Sequence, residues 1–519
     1  MDKVTILWAG DEIDLLKPHL LFLKEKGYDV TTTTNGNDAL EQVKNNSYDI
    51  IFLDENMPGM SGLETLAQIK NIKSEIPVVM ITKSEEESIM EDAIGSKISD
   101  YLIKPVNPNQ ILLAIKKNLE NKRLISEKTS SSYQQEFRAL GMTLNEPLNH
   151  SGWAEVYKKI IHWELELEQA RDDGMYETLT YQKNEANNLF CRYIENNYLR
   201  WLREPDNNAP VMSHTLFKKK IMPVVTASQK PTFVILIDNL RFDQWKIIQP
   251  AVSDLFRVKS EETYYSILPT ATQFARNAIF AGLMPKFIEE RFPDKWESDE
   301  SETGKNLHEE FFLADQLKRL RFEQKFSYSK IVSHRDSTEL AGRILNLLSN
   351  KLNVIVVNFV DMLSHARTEM DMIRELADDE AAYRSLTLSW FNHSPLLEAL
   401  TKLSEKDIDL IITTDHGTIR VKEASKIMTE RTTNTNLRYK HGRSLTPAAK
   451  DVFLVKNPAE AFLPKEYLND KFAFALNDKF FVYPNNYNQF VNFYNNTLQH
   501  GGVSLEEMVI PFIHLESKG

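Results

Sequence analysis

Over roughly the first 120 residues, short apolar runs alternate with stretches of helical periodicity. Val4–Trp8, Tyr28–Thr32, Asp49–Leu53, Pro77–Ile81 and Asp100–Ile103 have the length and composition of strands, and between them apolar positions recur at helical spacing, as at Leu15, Leu16, His19, Leu20 and Leu23. Such alternation predicts a doubly wound sheet of five strands over residues 1–120. From 121 to 205 the strand signal stops. Trp153, Val156, Tyr157, Ile160, Ile161 and Leu165, then Leu189, Tyr193, Ile194 and Leu199, repeat every three or four positions, with a break at Asp172-Asp173-Gly174. That pattern predicts a helical connector. The polar stretch from Glu204 to Pro210 closes it, and residues 206–519 return to an α/β pattern.

In this last region three apolar runs end in acids. Phe233–Ile237 runs into Asp238, Val354–Val360 into Asp361 with His365 four residues on, and Ile408–Thr414 into Asp415-His416-Gly417. Continuous apolar runs read as strands buried on both faces, and the carboxyl ends of such strands are where α/β sheets place ligands. Asp361 and His365 share a helix face if a helix begins there, and Gly417 eases a sharp turn that aims both Asp415 and His416 at one point. His500-Gly501-Gly502 precedes a further apolar run, Met508–Ile513. Asp and His together suit zinc or a similar divalent ion, and six such ligands suit two catalytic ions better than one tetrahedral site. Ser266 to Ala278, which includes Thr270 and Thr272, reads as a loop entering a helix. A hydroxyl there can act as a nucleophile, because a nearby ion and the helix N–H groups both favour its alkoxide; Thr270 alone could equally cap the helix.

Composition narrows the classes. With 519 residues, 42% of them hydrophobic, the chain can bury more than one core. A net charge of −12 argues against a dedicated nucleic-acid surface, although a local basic channel stays compatible with it. Cys191 is the single cysteine, so no intrachain disulfide forms, and no apolar run reaches the ~18 residues of a membrane span. The N-terminus leads directly into a strand rather than a signal peptide, and the expectation is a soluble, cytoplasmic protein.

The N-terminal sheet carries its own acidic pocket. Asp11 and Glu12 follow the first strand, Asp54 ends the third, Thr82 the fourth and Lys104-Pro105 the fifth. Carboxylates after strands one and three can hold a Mg²⁺ that keeps waters and takes a phosphoryl oxygen, with Lys104 and Thr82 contacting the phosphoryl group. This resembles the receiver domain of two-component response regulators, a flavodoxin-like fold. The resemblance implies Asp54 as phosphoacceptor, Tyr101 as switch aromatic and a sensor histidine kinase as partner. Receivers usually carry two acids after the first strand, and here Gly10 stands where the first belongs. Asp11 is then left as the main Mg²⁺ ligand with Asp54, and Glu12 compensates only if its loop shifts, so metal affinity and phosphorylation are both expected to be weakened.

Residues from about 230 to 519 resemble the PglZ-type branch of the alkaline phosphatase superfamily, in the motifs Ile237-Asp238-Asn239-Leu240-Arg241, Pro269-Thr270-Ala271-Thr272, Asp361 with His365, Thr414-Asp415-His416-Gly417 and His500-Gly501-Gly502. The resemblance implies one zinc on Asp238, Asp415, His416 and the nucleophilic threonine, and a second on Asp361, His365 and His500. Thr272 matches the family's second hydroxyl and is favoured over Thr270. The implied reaction is in-line attack by threonine on phosphorus, giving a phosphothreonine that water then cleaves. Arg276, Lys440, His441 and Arg443 are candidates for contacting substrate phosphate, the last three as a compact group suited to a polyanion.

The fold does not choose among phosphate monoesters, diesters, sulfates and phosphomutase chemistry. No extra acid constellation announces the third metal of some monoesterases, and no Cys or Ser replaces the threonine as a formylglycine-using sulfatase requires. A phosphodiesterase on a nucleotide or oligonucleotide is the leading expectation, and a phosphomonoesterase or phosphomutase is the runner-up. A reading of another class is a regulator that binds a partner such as a sigma factor. No helix-turn-helix follows the receiver, so sequence-specific DNA binding is not expected. The order of receiver, helical connector and PglZ-type domain is similar to that of response regulators associated with type IX secretion. Phosphorylation is expected to form a homodimer through the face of the receiver's fourth and fifth helices or through the connector.

Overall fold

The computed structural model describes residues 3–73, 76–82, 98–170, 172–205, 208–297, 306–369, 379–428, 434–465, 467 and 469–518, except the side chains of 14–15, 120–128 and 365–369. The chain divides into two compact units, Met1–Gln135 with Gln169–Asp172, and Glu136–Glu168 with Asp173–Gly519. By this division most of the connector's helical length groups with the second unit. Among the described residues no helix is long and apolar enough to cross a membrane.

The first unit is built on five parallel strands, Thr5–Ala9, Asp29–Thr33, Ile50–Asp54, Val78–Thr82 and Asp100–Ile103, in the order second, first, third, fourth, fifth. Residues 50–54 and 78–82 are buried throughout, as continuous apolar runs in a two-faced sheet must be. Period-two alternation sorts the side chains: Leu7, Ala9 and Leu53 pack on one face, Ile6, Trp8 and Phe52 on the other. Asn35 caps the helix Gly36–Asn45 by accepting from Asp38 N–H, and Ser61 with Glu64 forms a capping box on Gly62–Ile72. The expectation of dimerisation through the face of the receiver's fourth and fifth helices involves residues 83–97, which lie outside the described residues.

The second unit carries helices His150–Ala170 and Asp173–Arg203. They bury Trp153, Val156, Tyr157, Ile160, Ile161 and Ile194, all positions of the expected periodicity. Its main sheet has six strands in the order Phe256–Tyr265, Val509–Ser517, Asp409–Thr413, Thr232–Ile237, Leu352–Val357, Phe326–Ile331. The last four run parallel, so their carboxyl ends share one edge; Val509–Ser517 is antiparallel to both of its neighbours. Thr413 pairs with Leu236, which sets Asp415 level with Asp238 beyond the strand ends.

One acid arrives differently from the sequence reading. The run from Val354 does not stay a strand to Asp361: pairing stops at Val357, and a helix, Phe359–Glu369, follows immediately. Phe359 stacks on Trp390 with ring centroids 4.4 Å apart, and Val360 is fully buried, so both apolar residues serve helix packing rather than a strand. Asp361 therefore sits in a first helical turn.

Candidate metal centre

Asp238, Asp415 and His416 come together beyond the sheet edge, with ligand atoms all within 4.8 Å of one another, and all three are buried. The His416 Nδ1–H donates to the Gly417 carbonyl at 3.1 Å. A carbonyl can only accept, so the proton belongs on Nδ1 and Nε2 carries the lone pair. That Nε2 lies 3.0 Å from Thr272 Oγ1, 3.9 Å from Asp238 and 3.8 Å from Asp415. His500 is set in the same way: Nδ1–H donates to the Thr270 carbonyl at 3.1 Å, and Nε2 faces Asp361 Oδ1 at 3.8 Å. The two imidazoles stack, 4.3 Å between centroids. His365 lies on the helix that carries Asp361, but its side chain is outside the described residues.

The electrostatics are those of a site built for a cation. Burial pushes the Asp238 carboxyl up to about 6 against the pull of the adjacent Arg276, and Asp415 adds to the push. Burial also raises Asp415 and lowers His416. Asp415 Oδ2 is buried and finds no hydrogen-bond donor among the described residues. Two crowded carboxylates, one of them with an orphaned oxygen, beside an imidazole lone pair fit a divalent ion such as zinc.

The threonines separate by environment. Thr272 opens the helix Thr272–Ala281 and is only part-buried, its hydroxyl between His416 and, at 3.5 Å, Asp238. Thr270 is fully buried and ties down the 500–502 loop: its hydroxyl donates to Gly502 O at 2.9 Å and accepts from Gly501 N–H at 3.0 Å. Ala271, not Thr270, is the residue that caps the helix.

Arg276, a candidate for substrate phosphate by sequence, turns inward instead. It is 1% exposed, and its guanidinium engages Asp238 and Glu309, each at 2.6 Å. Lys440 donates to the Asn434 carbonyl at 2.6 Å and lies 4.8 Å over the Tyr483 ring. His441 stacks on Phe472, and Arg443 lies over Tyr467. Lys440 also lines a cavity of about 710 Å³ with Asn434, Tyr483, Phe490 and Tyr494.

Gly417 is required for space rather than for backbone freedom, which corrects the reading of its turn: a Cβ there would lie 2.0 Å from the Glu506 carbonyl oxygen. The supporting roles of Glu309, Arg438 and Asn239 are not part of the sequence reading. Glu309 holds Arg276 from 33 positions away, and Arg438 pairs with Glu507, both fully buried, at 2.6 Å. Asn239 takes a left-handed φ of 64° and donates to Asp361 Oδ1 at 3.3 Å; an Asn directly after an apolar strand and an acid is a signal that could have marked it.

In the receiver pocket Lys104 pairs with Asp54 and, at 3.4 Å, with Glu12. The Thr82 hydroxyl donates to Glu55, and Tyr101 is 41% exposed. Burial raises the Asp54 carboxyl despite Lys104, and repulsion from Asp11 contributes, a repulsion that a divalent cation such as Mg²⁺ relieves. Asp11 and Glu55 line a shallow cavity of about 420 Å³ with the Asn56–Gly59 loop. A Cβ on Gly10 would lie 3.3 Å from Asp54.

Three family models tile the chain: a response regulator receiver domain over residues 6–116, a PorX response regulator linker domain over 123–202, and a PglZ alkaline phosphatase-like domain of BREX systems over 216–515. Curated relatives align on the receiver. The transcriptional regulatory protein ZraR of Escherichia coli O157:H7 is 29% identical over 140 residues, 27% of this chain and 32% of that protein. ResD of Bacillus subtilis is 30% identical over 115 residues, 22% of this chain and 48% of that protein. The chain thus spans about a third to about a half of the length of these relatives. Among solved structures, a two-component response regulator from Clostridium difficile is 29% identical with a TM-score of 0.22, covering 23% of this chain and 97% of that one. With one family model matching more than half of its 519 residues, the chain belongs to the PglZ alkaline phosphatase-like family, joined to a receiver and a linker in the PorX-type order.

Proposed function

We propose that the second unit is a two-zinc phosphodiesterase acting on nucleotides or oligonucleotides, with Thr272 as nucleophile and Asp54 phosphorylation as its control. The observation that carries this is the Thr272 hydroxyl at a helix N-terminus, 3.0 Å from His416 Nε2 and beside Asp238. Asp238, Asp415 and His416 would hold one ion and Asp361, His365 and His500 the other, supplying positive charge that favours the alkoxide and offsets charge on the phosphoryl oxygens. Thr272 Oγ, having lost its proton to solvent, attacks the diester phosphorus in line, one alcohol departs on the far side and takes up a proton, and water then cleaves the bond from Thr272 Oγ to phosphorus, releasing the phosphate monoester of the second alcohol and restoring the hydroxyl. The helix N–H groups add positive potential at the attacking oxygen. Arg276, one turn along, opposes protonation of Asp238.

Two features favour diesters of nucleotides. Glu309, the acid packed behind Asp238, is already paired with Arg276 and Lys330 and has no room in its role for a third cation. The strand carrying Lys440 begins at Tyr439, which packs edge-on to Phe274 of the Thr272 helix, and the cavity that Lys440 lines with Tyr483, Phe490 and Tyr494 would offer a base rings to stack on. In the receiver, Mg²⁺ on Asp11 and Asp54 supports phosphorylation, and dimerisation carries the signal. The link to type IX secretion rests on domain order alone.

Hydrolysis of bis-p-nitrophenyl phosphate against the monoester tests the proposal. The diester is cleaved faster, and Thr272→Ala or a chelator abolishes turnover. Zinc-containing protein that cleaves neither ester sinks the enzyme reading and favours recruitment of a protein such as a sigma factor.

A further inference from the structure

Three side chains on one face of the helix Asp173–Arg203 clamp the segment that carries the centre's last loop. Lys183, Asn187 and Cys191 are spaced four residues apart. Lys183 Nζ lies 3.2 Å from Glu506 Oε1, Asn187 Nδ2 donates to Glu506 Oε2 at 2.9 Å, and Asn187 Oδ1 accepts from Leu505 N–H at 2.7 Å. Cys191 Sγ contacts the Val503 carbonyl at 3.3 Å. Asn187, Cys191 and Glu506 are buried.

The clamped segment reaches residues beside both histidines, Gly417 next to His416 and Gly502 two positions after His500. The Glu506 carbonyl packs against Gly417, whose own carbonyl orients His416, and Gly417 N–H donates to Glu507 O at 3.3 Å. The Glu507 carboxylate accepts from Gly502 N–H at 2.9 Å, next to the loop that Thr270 ties down and whose His500 it orients. On its other side Lys183 meets Glu164 at 3.0 Å, and the chain of charge continues through Arg384 and Asp243 to Arg241, three residues beyond Asp238. The helical hairpin therefore reaches the centre from two directions, through Glu506 and through Arg241.

We infer that Lys183 and Asn187 are positioning residues: acting through Glu506, they fix the spacing of His416 and His500 and so the geometry of the metal centre. The inference rests on the two-zinc reading for its link to catalysis, while its structural content concerns metal binding alone. Partners that orient ligands from behind typically change metal affinity or activity by about ten- to a hundred-fold when removed.

The test uses the full chain loaded with Co²⁺, whose visible absorption reports ligand geometry, alongside turnover of bis-p-nitrophenyl phosphate. Lys183→Met and Asn187→Ala are expected to weaken Co²⁺ binding about tenfold, alter the absorption band, and lower kcat about tenfold with KM within twofold. Lys183→Arg restores most of each. Lys159→Met, which removes a surface pair between the same hairpin and Glu136, changes none of them. Should Lys183→Met fail to fold, Asn187→Ala and Lys183→Arg decide. Folded Lys183→Met and Asn187→Ala proteins with wild-type Co²⁺ affinity and an unchanged band overturn the inference, even if they melt earlier. A wild type that binds Co²⁺ but cleaves no ester refutes the enzymatic reading only, and the affinity comparison still decides this one.

Discussion

Asp238 makes the metal-free protein sensitive to pH in a direction opposite to that of a paired carboxylate. Its carboxyl is raised from 3.8 to about 6, chiefly by burial. A raised acid favours folding below its unfolded value, and that contribution is lost as pH climbs through the folded value. At about 1.36 kcal/mol for each pH unit between 3.8 and 6, the loss across that window comes to about 3 kcal/mol. His416, lowered by burial, acts with the opposite sign, so the wild-type curve alone does not isolate Asp238. The comparison with Asp238→Asn does, because Asn mimics the protonated acid at every pH. In EDTA, chemical denaturation from about pH 4 to 7.5 should show the Asn variant gaining on wild type by about 2.4 kcal/mol, most of it before about pH 6.5. Saturating zinc should reverse the order, since the ion rewards the carboxylate and binds only the folded site. Parallel curves for the two proteins in EDTA across this range would refute the reasoning, because Asp238 would then titrate alike folded and unfolded.

Three further outcomes follow from the supporting contacts. Gly417→Ala sets a Cβ 2.0 Å from the Glu506 carbonyl, so one backbone must move by about 1 Å; kcat should fall roughly a hundredfold and zinc affinity with it, measured by titration, and wild-type values for both contradict the role given to this packing. Arg438→Met leaves the fully buried Glu507 unpaired and should cost about 3–5 kcal/mol in urea denaturation, with Glu507→Gln in the same background recovering part of it; a loss below about 1 kcal/mol contradicts the pairing. Gly10→Asp adds an acid against Asp54, so Mg²⁺ should bind about tenfold tighter by calorimetry and beryllofluoride should shift sedimentation toward dimer; a variant that binds Mg²⁺ no better than wild type shows that Gly10 is not what weakens the site.

The two sheets were legible in the sequence because their central strands are buried on both faces and so read as uninterrupted apolar runs. The five receiver strands differ from expectation by a single residue at most, the ladder rather than hydrophobicity deciding where each one starts. The antiparallel course of Val509–Ser517 was not legible, because an apolar run carries no direction, and its neighbours come from residues 256–265 and 409–413. The Val354–Asp361 stretch misled for a related reason: apolar residues that pack a helix onto the sheet look like more strand until Asn358 breaks the pairing.

For the site, sequence marked groups with reactive chemistry and missed those that hold them. Asp238, Asp415, His416 and His500 stand next to glycines, strand ends or each other, and Asp361 is marked by His365 four residues on, a local signature. Glu309, Arg438 and Glu507 act across 33 and 69 positions, and a buried ion pair leaves no trace at either residue alone. The basic group at Lys440, His441 and Arg443 shows the converse, since each charge or ring finds a carbonyl or an aromatic partner that adjacency does not reveal. What the structure adds is a division of labour by atom. Both imidazoles are oriented by backbone carbonyls through Nδ1, contacts that need no ion, whereas the charge of Asp415 disfavours ionisation of Asp238, a penalty that a bound cation would lift. The imidazoles are therefore set by the fold, while the carboxylates are the groups whose charge a bound cation would stabilise, so the comparison with Asp238→Asn reads the acids and Gly417→Ala reads the packing behind His416.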